Sequence, residues 1–260
     1  MSAEWALALF RKSVLKQAKY RRITELLDDP VGLRCLDIGA DNGVISLLLR
    51  RRGGRWASAD LDEHTVASIR ELVGDDVHRL DGSHIPFPDR TFDQVVVVDY
   101  LEHIPDDARF ADELARILKP GGRVIVNVPH LKPGSLLNRL RHAIGLTDEW
   151  HGHLRPGYDL EGIRTLLGPK FSVERAVTYS KTFSEFVDTA LNGLYLAMQS
   201  GDGRGSTKGT VVTQADIRKH RKQFLLLSGL YPFLWVVSRL DGLLWLQPGY
   251  KLIVRARLAG

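Results

Sequence analysis

Four carboxylates, Asp37, Asp60, Asp81 and Asp99, each stand where a short apolar run ends. If those runs are neighbouring parallel strands, the acids gather along one edge, where open α/β sheets take their ligands. The first acid opens a glycine turn, Asp37-Ile-Gly39-Ala40-Asp41-Asn-Gly43. A dinucleotide site needs G-x-G-x-x-G and a helix N-terminus open to a pyrophosphate. Here G-x-G is missing, and Asp41 sets a carboxylate where a pyrophosphate would approach. That repels an anion and suits an ammonium group. An acid closing the second strand, Asp60, accepts both hydrogens of a ribose diol, and Asp81, near the third, accepts from the exocyclic amine of adenine. The ligand meeting these terms is a positively charged adenosyl compound without phosphates.

The elements that must hold these acids are legible as alternation. A helix is predicted over about Glu4–Leu27, from Leu7, Phe10, Val14, Leu15, Ile23 and Leu26 at helical spacing. Between Arg11 and Arg22 lie Arg11, Lys12, Lys16, Lys19, Arg21 and Arg22 without an acid, a pattern that reads as a solvated face or as a patch for anionic groups. Strands are predicted at 33–38, 55–60, 77–80, 94–99 and 123–128. Helices between them run from Val44 to Arg52, from a cap at Asp62 to Gly74, and from a cap at Asp106 or Asp107 to Leu118. Gln94–Asp99 is apolar enough to be buried on both faces, so the expected fold is a doubly wound, mostly parallel sheet. Asp159–Leu167 reads as a helix, and 171–179 and 250–257 as strands. Ser180–Gly249 reads as mostly helical, with a glycine-rich loop at Gln199–Gly209 and a capping box at Thr213–Asp216.

S-adenosylmethionine has the ammonium, ribose and adenine that the acids call for. On the residues that carry it, the sequence resembles the class I S-adenosylmethionine-dependent methyltransferases, in the subgroup related to ubiquinone and menaquinone biosynthesis. Leu36-Asp-Ile-Gly-Ala-Asp-Asn-Gly43 is similar to that family's first motif. Ile85-Pro-Phe-Pro-Asp-Arg-Thr-Phe-Asp93, Asp99-Tyr-Leu-Glu-His-Ile104 and Arg116-Ile-Leu-Lys-Pro-Gly-Gly122 resemble later ones. The resemblance implies a seven-stranded Rossmann-like sheet with an antiparallel last strand and a helical insertion. The chain then divides into an N-terminal helix (1–30), the cofactor-binding core (31–180), the insertion (181–249) and the last core strand (250–260). The implied S-adenosylmethionine contacts are Asp37, Gly39, Ala40, Asp41 and Gly43 on the first loop, Asp60 and Leu61 on the second, Asp81 and Gly82 on the third, and Asp99 on the fourth. Asp41 departs from the family, which has glycine there. Aspartate tolerates left-handed backbone better than most residues.

For the reaction itself, His103, His151 and His153 are the candidate bases. His103 follows the fourth strand, and Trp150–Tyr158 resembles a segment bordering the acceptor pocket. The spacing of His151 and His153 suggests a metal, but the sequence offers no evident third ligand, and none is expected. The only cysteine, Cys35, lies mid-strand and reads as a small buried hydrophobe. That excludes an internal disulfide and a Cys-rich metal centre, and argues against cytosine-type methylation through a thiolate. The fourth-strand tetrapeptide is also unlike that of nucleobase amino-methyltransferases, so no nucleic-acid partner is expected. Net charge is only +5, from 36 basic and 31 acidic residues, so anionic partners are permitted and not required. Phe224–Ser238 and Leu243–Leu246 are apolar, with Pro232 inside and basic residues before them. They read as a lid, a homodimer interface or a membrane-surface element, and each favours a hydrophobic, lipid-linked or glycan acceptor. The expected reaction is methyl transfer to an oxygen or carbon in a cytoplasmic or peripherally membrane-bound protein. The alternatives are a non-catalytic S-adenosylmethionine-binding module and, further off, a nucleotide-dependent oxidoreductase.

Overall fold

The computed structural model describes residues 3–39, 42–199 and 221–260. Its strands are β1 (Arg34–Ile38), β2 (Arg55–Asp60), β3 (Val77–Arg79), β4 (Phe92–Val98), β5 (Leu118–Pro129), β6 (Phe171–Tyr179) and β7 (Lys251–Leu258). They form one sheet in the order β3-β2-β1-β4-β5-β7-β6. β1 to β5 are parallel, and β7 runs antiparallel between β5 and β6. This is the expected mostly parallel sheet with an antiparallel last strand. The chain moves outward from β1 through β2 to β3, then returns to place β4 on the other side of β1. That reversal opens a crevice between the carboxyl ends of β1 and β4.

The alternation of side chains along the strands explains why both faces are covered. Leu36, Ile38, Val95 and Val97 join one apolar core with Phe110 and Leu114 of α5 (Asp107–Ile117) and Ile163 of α8 (Leu160–Leu167). Cys35, Val96 and Val98 join the opposite core with Ile23 and Leu26 of α2 (Val14–Leu26) and Val44 and Leu49 of α3 (Val44–Arg50). Cys35 is buried, and burial pushes its thiol up to about 12, so it is a packing residue with an inert sulfur.

Local chemistry sets the helix starts. Asp62 accepts from the Thr65 amide at 2.9 Å and begins α4 (Glu63–Val73). Asp106, not Asp107, caps α5, accepting from the Arg109 amide at 2.9 Å. Asp159 caps α8 through the Gly162 amide at 2.7 Å. The single N-terminal helix expected over 4–27 is instead two, α1 (Glu4–Arg11) and α2. Ser13 breaks the run by capping the second helix through the Lys16 amide. β5 also starts earlier than expected, because Leu118 pairs with Phe92 before a register irregularity brings Gln94 beside Arg123.

After β5 come α6 (Leu136–Ala143), a short α7 (Asp148–His151) and α8, and the 181–249 stretch holds α9 (Thr182–Gln199), α10 (Arg221–Arg239) and a 3-10 turn at Leu240–Leu244. Pro232 lies inside α10. Asp241 of that turn accepts from the backbone amides of Lys181 and Phe183 at 2.8 Å each, which ties the end of this stretch to the start of α9. Arg141 of α6 reaches Glu185 of α9 at 2.6 Å. The Thr213–Asp216 capping box and the glycine-rich loop beyond Gln199 lie outside the described residues.

Two motifs that look functional in sequence work here as a brace. Arg116 donates to the carbonyls of Ile85 and Phe87, to Asp89 and to both oxygens of Glu113, all at 2.8 Å. Lys119 pairs with Asp93 at 2.8 Å. The 85–89 loop is thereby tied to α5. Hydrogen bonds from Arg116 hold the Glu113 carboxyl at about 2, below its ordinary 4.5. A depressed carboxyl contributes stability above the unfolded value that is lost as pH falls through the folded one. Arg116→Met is therefore expected to lower urea stability at pH 7 by about 2–3 kcal/mol. Wild-type stability should fall between pH 4.5 and pH 2, and fall less steeply in the variant. Equal acid slopes would remove this role from the pair.

Candidate active site

At the crevice, the glycine turn is shaped by lack of room. Gly39 has φ +79°, and a Cβ there would lie 2.1 Å from the Val98 carbonyl oxygen of β4. Gly43, φ +83°, begins α3 where a Cβ would sit 2.8 Å from Ile69 Cα. Ala40 and Asp41 lie outside the described residues. The four acids do not act alike. Asp60 ends β2 and is partly exposed, with the half-buried Leu61 beside it. Asp81 is exposed, and its Oδ1 accepts from the Ser83 amide, the Ser83 hydroxyl and the His84 amide at 2.8–2.9 Å. Those bonds hold it ionised, at about 2. Gly82, φ +84°, packs against Ile104 and Leu61.

Within reach of the charges of Asp60 and Asp81 stands a residue that no sequence motif singled out. Tyr100 is buried and its hydroxyl has no hydrogen-bond partner among the described residues. Burial first, then the charges of Asp60 and Asp81, push it well above the ordinary phenol range, so it stays a neutral donor. The buried Asn42 amide Nδ2 is unpartnered in the same sense. Buried polar groups in native proteins are nearly always satisfied. Two orphan donors and two acids around a glycine turn thus match the hydrogen-bonding groups of an adenosyl ligand.

The other two acids are engaged by partners within the protein. Asp37 is fully buried and turned inward. Its carboxylate accepts from Ser46 at 2.5 Å and Ser58 at 2.8 Å, and meets Arg50 at 3.4 Å. Burial raises its pKa, against the pull of Arg50 and the two hydroxyls. Asp99 is held by Lys19 of α2, by Lys251 of β7 at 3.4 Å and by Asn127 at 3.0 Å. Although burial works the other way, the two ammonium groups keep it well below the usual carboxylate range. Its backbone is left-handed, φ +44°, uncommon outside glycine. Lys19 thus belongs to neither a solvated helix face nor an open basic patch. Only its long-range pairing reveals this, and no sequence spacing marks it.

Past Asp99 the chain makes a 3-10 turn, Leu101–His103, and a distant loop is fastened over it. The Leu154 amide donates to the Glu102 carbonyl at 2.8 Å, and His103 Nδ1 donates to the Gly152 carbonyl at 2.9 Å. Arg155 reaches the carbonyls of Leu101, Ile104 and Pro105 at 2.6–3.0 Å and pairs with Asp107 at 3.2 Å. The three candidate histidines therefore do come together. His103 and His153 rings meet edge to face at 4.9 Å, and His151 stacks on His153 at 5.3 Å. Glu102 lies beneath, fully buried, with neither carboxylate oxygen hydrogen-bonded among the described residues. Burial and the neighbouring Asp99 push it up to about 8. Donor atoms of Glu102, His103 and His153 all lie within 4.8 Å of one another. The trio of Glu102, His103 and His153 leaves out His151 and joins residues half a hundred positions apart in sequence.

Residues 36–126, just over a third of the chain, match the model of a methyltransferase domain. A demethylmenaquinone methyltransferase from Clavibacter sepedonicus is 35% identical over 113 residues, covering 42% of this chain and 46% of that protein. A ubiquinone biosynthesis O-methyltransferase from Alkalilimnicola ehrlichii is 29% identical over 151 residues, 52% of this chain and 60% of the relative. The chain thus spans about half the length of the curated relatives it matches. In fold it is similar to a putative methyltransferase from Bacillus halodurans, with TM-score 0.59, 16% identity, and coverage of 94% and 98% of the two chains. It is similar also to the cyclase SpnF, with TM-score 0.62, 19% identity, and coverage of 94% and 81%. A shared fold does not by itself fix a reaction. Residues 36–126 are thus similar in sequence to a methyltransferase domain, and the sheet order is shared with solved methyltransferases.

Proposed function

We propose that the chain is an S-adenosylmethionine-dependent methyltransferase acting on an oxygen or carbon of a hydrophobic, quinone-like or otherwise lipid-linked acceptor. The observation that carries this is the buried Tyr100 hydroxyl, unpartnered among the described residues and within reach of the charges of Asp60 and Asp81. In this reading Asp60 and Leu61 hold the ribose, Asp81 and Gly82 the adenine side, and Gly39, Ala40, Asp41 and Gly43 the methionine end. Asp37 and Asp99 position these loops from behind through their own ion pairs. The bound cofactor supplies an activated methyl group on sulfonium. The chain's part is to bind, align and exclude water, since a methyl displacement gains most from orientation. His103 is the candidate base. Its Nδ1 donates to Gly152, which leaves Nε2 to accept a hydroxyl proton.

The acceptor class rests on two supports. One relative is named for demethylmenaquinone and another for ubiquinone biosynthesis, and both names point to quinone-like compounds. The second support is apolar surface: Phe233 is 66% exposed, Leu243 73%, Trp245 76% and Leu246 77%. Among the described residues no helix is long and apolar enough to cross a membrane. Aromatic and aliphatic side chains exposed together suit shallow insertion at a bilayer surface, where a lipid-linked acceptor resides.

Isothermal titration is expected to show S-adenosylmethionine binding without NAD binding, and labelled methyl should enter a short-chain demethylquinol. Cofactor binding without methyl transfer to any lipid-extract acceptor would favour the non-catalytic module. Asp60→Ala should weaken cofactor binding roughly 10- to 100-fold, as expected for lost charge-assisted hydrogen bonds. Tyr100→Phe should also weaken binding while leaving the free protein as stable or more so, because it removes an unsatisfied buried hydroxyl. Unchanged affinity in both variants would unseat the adenosyl assignment. In liposome flotation the full chain should rise with the vesicles, and the combined Phe233→Ser, Trp245→Ser, Leu246→Ser variant should not. A wild-type chain that stays behind would leave the lid or dimer reading of this surface.

A further inference from the structure

The Glu102–His103–His153 trio asks for an explanation that cofactor binding does not supply. A fully buried carboxyl group with both oxygens unpartnered among the described residues is costly, and proteins keep such a group where a ligand or ion completes it. Here two half-buried imidazoles stand over it, with donor atoms of all three within 4.8 Å of one another. The arrangement is built with some care. The Gly152 carbonyl takes the His103 Nδ1 proton, the usual way a ligating histidine is fixed in orientation and tautomer, and Nε2 is left with the lone pair. The His153 loop is held at this turn by the Leu154–Glu102 backbone bond and by the Arg155 clamp. Lys19 and Lys251, the cations whose charge reaches Glu102, are paired with Asp99.

We infer that Glu102, His103 and His153 form a binding site for one divalent metal ion, open on its remaining positions to an acceptor hydroxyl. Two imidazoles and one carboxylate suit Mn²⁺, Fe²⁺, Co²⁺ or Zn²⁺ better than the all-oxygen shells preferred by Mg²⁺ and Ca²⁺. The inference deepens the methyl-transfer reading and rests on it for the acceptor. With His103 Nε2 on the ion, an acceptor hydroxyl bound there would release its proton to solvent instead of to that imidazole. The oxygen then forms a bond to the methyl carbon as the sulfur–methyl bond breaks and a neutral thioether leaves. The site favours oxygen over carbon as the methylated atom, and a hydroxylated ring as the acceptor.

Equilibrium dialysis of the chelator-treated full chain against Co²⁺, with metal analysis and the visible ligand-field spectrum, tests this. One Co²⁺ per chain is expected, with a band in the visible. Glu102→Gln, His103→Ala and His153→Ala should each weaken binding at least tenfold, and His142→Ala, an exposed histidine elsewhere, should not. Calorimetry with S-adenosylmethionine runs in parallel, and retained cofactor affinity in His153→Ala shows that the variant is folded. A wild-type chain that takes up no Co²⁺, or one that binds it equally well after all three substitutions, overturns the site. Co²⁺ binding lost in the three variants of a chain that binds no S-adenosylmethionine upholds the site and removes the methyl-transfer reading instead.

Discussion

Where β1 meets β4, Gly39 has space for a hydrogen and nothing larger. That close approach is the constraint on which the crevice depends. A side chain there would need to displace the Val98 carbonyl, and with it the end of β4. Because the backbones come so near, the glycine turn after β1 and the Asp99–His103 segment after β4 share one opening. The sheet order supplies the opening, and the missing Cβ keeps it narrow.

Around that opening, identical side chains take different work from their surroundings. Asp81 and Asp37 both end in the same carboxylate. Asp81 sits in water with three donors on one oxygen and is strongly acidic. Asp37 is sealed behind α3, and its hydroxyl and guanidinium partners only partly offset the cost of burial. Asp99 and Glu102, three residues apart, are divided in the same way. Two ammonium groups keep Asp99 ionised, whereas Glu102 has no hydrogen-bond partner among the described residues and its pKa is raised. Environment therefore separates framework acids from those left available to a ligand.

The turn after β4 and the 152–158 loop are joined by hydrogen bonds to backbone carbonyls. Arg155 spends its guanidinium on three carbonyls of the turn after β4, and Tyr158 reinforces it by donating to Asp107 at 2.6 Å. Such a clamp tolerates little displacement, because each lost bond leaves a carbonyl unsatisfied. It fixes His153 beside His103, while the exposed apolar residues after α10 lie on a separate part of the 181–249 stretch.

By itself, the sequence determined the succession of β1 to β5 with the helices between them, the aspartate cap at position 62, the glycines at 39 and 43 and the buried fate of Cys35. Each of these follows from local periodicity or from a few adjacent residues. The Ser13 break between α1 and α2 was local too, but it is masked by helical spacing that continues on both sides. Only the tertiary structure decided which acids face the crevice, that Lys19 belongs to Asp99, and that Glu102 and His103 meet His153. A strand-end side chain turns according to partners that arrive from other elements, and the Glu102–His153 meeting depends on the path of a loop closed through Arg155. Sequence spacing measures distance along the chain, and these contacts are set by distance through space.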